Sequence, residues 1–180
     1  FSVKNFGMNQ NVVRQVLRRV GILRDDGGSG DPTFVRMHGP PIQIRHSADV
    51  VRCGPAPPPD APLVAQISRW DRLKDMTGVM RAFAERIGGL RNAHLALVAP
   101  EVGGVADDPE AGKMFEECRR DWQNLPPHER SRVHLVCLPM TDLEENAAVT
   151  NAVQRHATVI VQKSFAEGFG LTVTEAMWKG

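Results

Sequence analysis
The chain has 180 residues, with 22 Lys+Arg against 21 Asp+Glu and a formal net charge of +1. So even a balance excludes the basic surface that grips nucleic acid or an anionic membrane, and no apolar run reaches the ~20 residues that cross a bilayer. Three cysteines, Cys53, Cys118 and Cys137, are odd in number and lack ligand spacing, which reads as free thiols in a reducing cytoplasm rather than a disulfide or zinc framework.

In chain order, Asn9 to Ile22 carries Val12, Val13, Val16, Leu17 and Val20 on one helical face, with Arg14, Arg18 and Arg19 on the wet side. From Arg24 to Pro62 the pattern turns irregular. Asp25-Asp26-Gly27-Gly28-Ser29-Gly30-Asp31-Pro32 favours no regular element, and Pro55 to Pro62 is proline-rich. Residues 1–62 therefore read as a helix plus an exposed arm or linker, and 63–180 as the compact part.

Leu63 to Ser68 predicts a buried strand, Arg69 to Asp75 a loop, and Met76 to Ile87 a helix burying Val79, Met80, Phe83 and Ile87. Gly88-Gly89 suits a helix C-cap. Ala93 to Ala99 predicts the second strand. After the Pro100 to Pro109 loop comes a helix from Glu110 to Gln123, with Asp108 as its cap and Met114, Phe115, Cys118 and Trp122 inward. Pro126-Pro127 breaks the chain before a third strand, Arg132 to Leu138. Asp142 caps a helix to His156, and Ala157 to Gln162 predicts a buried fourth strand. Alternating strands and helices imply an α/β fold, a Rossmann-like parallel sheet with helices on both faces. Ligands of such sheets bind at the carboxyl ends of the strands, where the loops after Ser68, Ala99, Leu138 and Gln162 gather.

The last of these loops carries the chemistry. In Glu167-Gly168-Phe169-Gly170-Leu171-Thr172-Val173-Thr174-Glu175, two carboxylates flank a glycine turn that runs into a helix. Backbone N–H groups and the dipole at such a helix start favour phosphate, and glycines let a ligand approach closely. Carboxylates accept hydrogen bonds, so the pair suits the hydroxyls of a sugar and a ribose. An ordinary connection, with Glu175 simply answering the dipole, fits the spacing equally well. On the rim loop after the first compact strand, Arg69 and Lys74 offer a fork and a compact charge for a diphosphate. Taken alone, they better suit a surface loop in which they pair with Asp71 and Asp75.

The acid pair resembles the E-x7-E motif of retaining GT-B glycosyltransferases of the family-4 group. The longer run from Glu167 to Gly180, and Asp107-Asp108-Pro109-Glu110, are similar to the trehalose synthases of the glycosyl-transferring type. Ser68-Arg69-Trp70-Asp71-Arg72-Leu73-Lys74 is similar to the S-R-x-x-x-x-K segment of the same enzymes. The resemblance covers about Pro55 to Gly180. It implies most of the C-terminal, donor-binding half of a GT-B enzyme that moves glucose from a nucleoside diphosphate glucose to an acceptor with retention, to glucose in the trehalose branch. It further implies that Arg69, Lys74 and Glu167 are catalytic, and that Gly168, Phe169, Gly170, Leu171 and Glu175 bind the donor. No metal and no tightly bound cofactor are implied. The acceptor sugar is expected on the facing N-terminal domain, which the chain would lack, so that alone it would not turn over. A homodimer is left open. The chain starts at Phe1 and stops soon after a helix begins, as expected of a piece of a longer protein.

Three rivals remain. Trehalose phosphorylase would use phosphate in place of a nucleotide. A non-catalytic nucleotide-sugar-binding module would bind donor without turnover. A dehydrogenase domain would need the Gly-x-Gly-x-x-Gly that the first compact strand lacks. The six histidines share no ligand spacing, and Ser164 lacks the frame of a hydrolase nucleophile.

Overall fold
In the computed structural model, residues 2–27, 30–87, 90, 92–103 and 109–180 are described. The predicted caps at Gly88-Gly89 and Asp108, and the buried side chain of Ile87, lie outside these residues.

Helix α1 spans Gln10–Arg19 and begins where Asn9 Oδ1 accepts the Val12 N–H at 2.9 Å. Two short strands, β1 (Thr33–Phe34) and β2 (Ile42–Gln43), pair antiparallel, and β3 covers Asp49–Val51. The compact part follows as β4 (Leu63–Ile67), α2 (Met76–Ile87), β5 (His94–Pro100), α3 (Pro109–Gln123), the single turn α4 (Pro127–Arg130), β6 (Val133–Leu138), α5 (Leu143–His156), β7 (Val159–Ile160) and α6 (Leu171–Lys179). Asp142 caps α5 by accepting the N–H groups of Glu144 and Glu145, both at 3.1 Å.

The main sheet has the order β3-β6-β5-β4-β7. β4, β5, β6 and β7 run parallel, while β3 joins β6 antiparallel. Strand alternation divides the core between two faces. Leu63, Ala65, Ile67, Ala96, Val98, Val136 and Leu138 pack under Val13, Val16 and Leu17 of α1 and Ala148, Ala152 and Val153 of α5. Val64, Leu95, Leu97, Ala99, Val133, Leu135 and Cys137 pack under Met80 and Phe83 of α2 and Cys118 and Trp122 of α3. Helices thus cover both faces, as the α/β reading expects.

Two expectations are corrected. The segment 24–62 is not an exposed arm: Phe34 and Ile44 are buried in the same core as Leu63 and Val98, and β3 lengthens the sheet. Buried Glu145 also fastens it, accepting the N–H groups of Arg45 at 2.9 Å and His46 at 2.7 Å. The fourth strand is shorter and wetter than predicted. The strand covers Val159 and Ile160, with the Thr158 and Val161 N–H groups also donating to β4, and Val159 is half exposed at the sheet's edge.

Chain direction reverses beside β4: the path goes outward through β5 and β6, then returns to β7 on the other flank. A crevice opens at the carboxyl ends of strands at such a switch point. The loop after β4, with Arg69 and Lys74, and the loop after β7, with Glu167, flank that point, and Glu175 follows on α6.

Candidate donor site at the switch point
The loop after β4 is held from below. Gln66, fully buried within β4, donates its side-chain N–H to the Lys74 carbonyl at 2.6 Å. Trp70 is buried edge-to-face against Phe115, ring centroids 4.9 Å apart. Asp71 Oδ1 accepts the Leu73 N–H at 2.8 Å and caps a 3-10 turn over Arg72–Lys74. Asp75 then takes a left-handed conformation, φ 46°, and its carboxylate accepts the Gly78 N–H at 3.1 Å. A Cβ on Gly78 would lie 2.2 Å from Asp75 Oδ2, so any other residue at that first turn of α2 displaces the Asp75 carboxylate.

The two rim loops are laced together. Lys74 Nζ meets Glu167 Oε2 at 2.8 Å, the Phe165 N–H donates to the Leu73 carbonyl at 2.8 Å, and Lys163 pairs with Asp75. Gln162 Nε2 and Ser164 Oγ also donate to Glu167 Oε2, at 2.8 and 3.2 Å. The Lys74 hydrogen bond first, then its charge, the Ser164 hydroxyl and the Gly170 N–H hold the Glu167 carboxyl well below the usual range, at about 2. Glu167 is therefore an anion across the neutral range.

The glycine turn behaves as its sequence suggests. Gly170 stands at φ 65°, where only glycine is at ease, and forms the N-cap of α6 with no side chain to close the helix. Open space surrounds the Cβ position of Gly168, and Phe169 and Leu171 are exposed. Thr172 Oγ1 donates to the Ile67 carbonyl at 3.2 Å and ties the first turn of α6 to the end of β4.

The structure brings Lys74, Glu167 and the Gly168–Leu171 turn together. Arg69 is not joined to them: its guanidinium pairs with Asp71 at 3.2 Å, and its side chain is 61% exposed. Glu175 faces α5, where Gln154 Nε2 donates to its Oε2 at 3.0 Å. Sequence reasoning passed over Gln66, Gln154, Gln162 and Lys163. A glutamine amid the apolar residues of Leu63-Val64-Ala65-Gln66-Ile67 was the signal for the first; the others showed none. Among the described residues no three His, Cys, Asp or Glu side chains are grouped to hold a metal, and no helix is long and apolar enough to cross a membrane.

No family model matches the chain. Among curated proteins, it is 35% identical over 125 residues to a trehalose synthase of Pyrococcus horikoshii, covering 68% of this chain and 27% of that one. It is 34% identical over 124 residues to a trehalose synthase of Rubrobacter xylanophilus, covering 67% and 26%. A sucrose synthase of Nitrosomonas europaea is 30% identical over 128 residues, covering 68% and 15%. The chain thus spans about a quarter of the length of the trehalose synthases that it matches. Among solved structures, a UDP-forming alpha,alpha-trehalose-phosphate synthase from Burkholderia xenovorans shares the fold with a TM-score of 0.53 at 14% identity, covering 66% of this chain and 27% of that one.

Proposed function
This chain belongs to the GT-B glycosyltransferases, and from that premise we propose that it forms the donor side of a retaining, cytoplasmic glucosyltransferase. The donor is a nucleoside diphosphate glucose and the acceptor is glucose, joined as trehalose; the acceptor sits on a facing domain. The observation that carries this reading is the 2.8 Å contact of Lys74 with Glu167 across the switch-point crevice.

Breaking the bond between the sugar's C1 and the phosphate oxygen leaves negative charge on the diphosphate. Preorganised cations and N–H groups stabilise that charge as it grows. Lys74 turns from Glu167 to the phosphate as the donor enters, and the Gly168–Leu171 backbone donates from the other side. Arg69 joins them, because its exposed pair with Asp71 is weak and easily exchanged. Glu167, released from Lys74 yet still an anion, accepts the sugar's hydroxyls, and Glu175 those of the ribose. The acceptor hydroxyl attacks C1 on the face the phosphate leaves, forming the new C1–O bond while its proton passes to the departing phosphate oxygen. No protein nucleophile, metal or tightly bound cofactor enters this scheme.

In the full-length enzyme that contains this chain, assayed with UDP-glucose or ADP-glucose and free glucose, Lys74→Ala is expected to lower kcat about 10²–10³-fold. A kcat within a factor of two of wild type contradicts the leaving-group role, and a product other than trehalose contradicts the acceptor.

A further inference from the structure
Two glutamines outside the glycine turn each direct a side-chain amide at one of its acids. Gln162, just past β7, donates to Glu167 Oε2 at 2.8 Å. Gln154, on α5 and only 5% exposed, donates to Glu175 Oε2 at 3.0 Å while its own oxygen accepts from Lys179. On Glu167 three donors, Lys74, Gln162 and Ser164, converge on the same oxygen. A carboxylate has about four acceptor sites on its two oxygens, so three donors gathered on Oε2, with the Gly170 N–H also acting on the carboxyl, still leave it an acceptor site for a ligand.

The amides differ from Lys74 in what they do when a diphosphate arrives. A lysine is drawn to the phosphate and lets the acid go. A neutral amide gains little from the phosphate and stays, so it fixes the side chain without quenching its charge.

Resting on the donor reading above, we propose that Gln162 and Gln154 are positioning residues: Gln162 fixes the Glu167 carboxylate toward the donor's sugar, and Gln154 fixes that of Glu175 toward its ribose. The two therefore act on different halves of one ligand. A merely structural glutamine would not separate those halves.

Calorimetric titration with UDP and with UDP-glucose, repeated with the adenine pair, reads this directly. Gln162→Leu is expected to weaken UDP-glucose about tenfold and leave UDP unchanged, the worth of one hydrogen bond to a charged group. Gln154→Leu is expected to weaken both ligands by a similar factor. A Gln162→Leu protein that binds UDP-glucose as tightly as wild type, or loses UDP equally, overturns the assignment, as does a Gln154→Leu protein that spares both. If either leucine variant does not fold, Gln162→Met and Gln154→Met, which keep the length without the amide, decide by the same criteria. Wild-type protein that binds none of the four nucleotides sinks the donor reading itself, and this assignment with it.

Discussion
Single residues set the character of the crevice. Gly170 shows how narrow the choice is at one position: a Cβ there would sit 3.9 Å from Glu167 Cγ, ordinary contact, so space does not forbid a side chain. Backbone conformation does, at φ 65°. Gly170→Ala should destabilise the protein by about 1–2 kcal/mol, measured by urea unfolding. A neutral result would mean that the turn relaxes to a different conformation. Far from the crevice, His134 is buried beside His94, their ring nitrogens 3.0 Å apart, with Arg52 and Arg132 acting on the pair. Burial, then His94, then Arg52 push its pKa down to about 3. The sign follows: the folded form resists a proton that the unfolded chain accepts near its ordinary 6.5. Stability is full above that value and is lost as pH falls toward 3. His94 and His156, also lowered by burial, add in the same direction. Urea midpoints should therefore decline between pH 7 and 4, and His134→Gln should flatten part of that slope; an unchanged slope would acquit the pair.

At the scale of elements, legibility tracked pattern length. α2 and α5 emerged at their predicted ends because apolar periodicity marked both, and Asp142 caps α5 as expected. β4, β5 and β6 emerged because each is buried on both faces and reads as a continuous apolar run. β1, β2 and β3 did not, being two or three residues long, too short for any period to register. The role of 24–62 was lost for the same reason: Phe34 and Ile44 are single apolar residues whose partners lie far along the chain. At the site, the sequence placed Lys74 and Glu167 on one rim but did not show their direct contact. The amide of Gln154, 21 residues before Glu175, was not legible, because no sequence spacing encodes a contact between α5 and α6. That α1 belongs to the core has a direct check. Leu17 is fully buried against α5 and the sheet, so Leu17→Ala should cost about 2–5 kcal/mol. A cost under 0.5 kcal/mol, as expected of an exposed arm, would refute that packing.

At the scale of the whole molecule, a two-sided core carries a crevice at one end of the sheet and an apolar strip beside it. Leu171, Met177 and Trp178 of α6 are exposed, as are Phe165 and Phe169, and the outer edge of β7 has no strand partner among the described residues. The crevice itself depends on the whole arrangement: reversal beside β4 sets two loops face to face, and only their tertiary closure makes one site of a lysine and an acid 93 residues apart. The most direct test is an NMR titration of the protein with UDP-glucose and ADP-glucose, following backbone amides. We predict that Lys74, Glu167 and Gly168 to Leu171 shift together with a single midpoint for at least one of the two ligands; saturation that moves only one loop, or neither, would contradict a shared donor site.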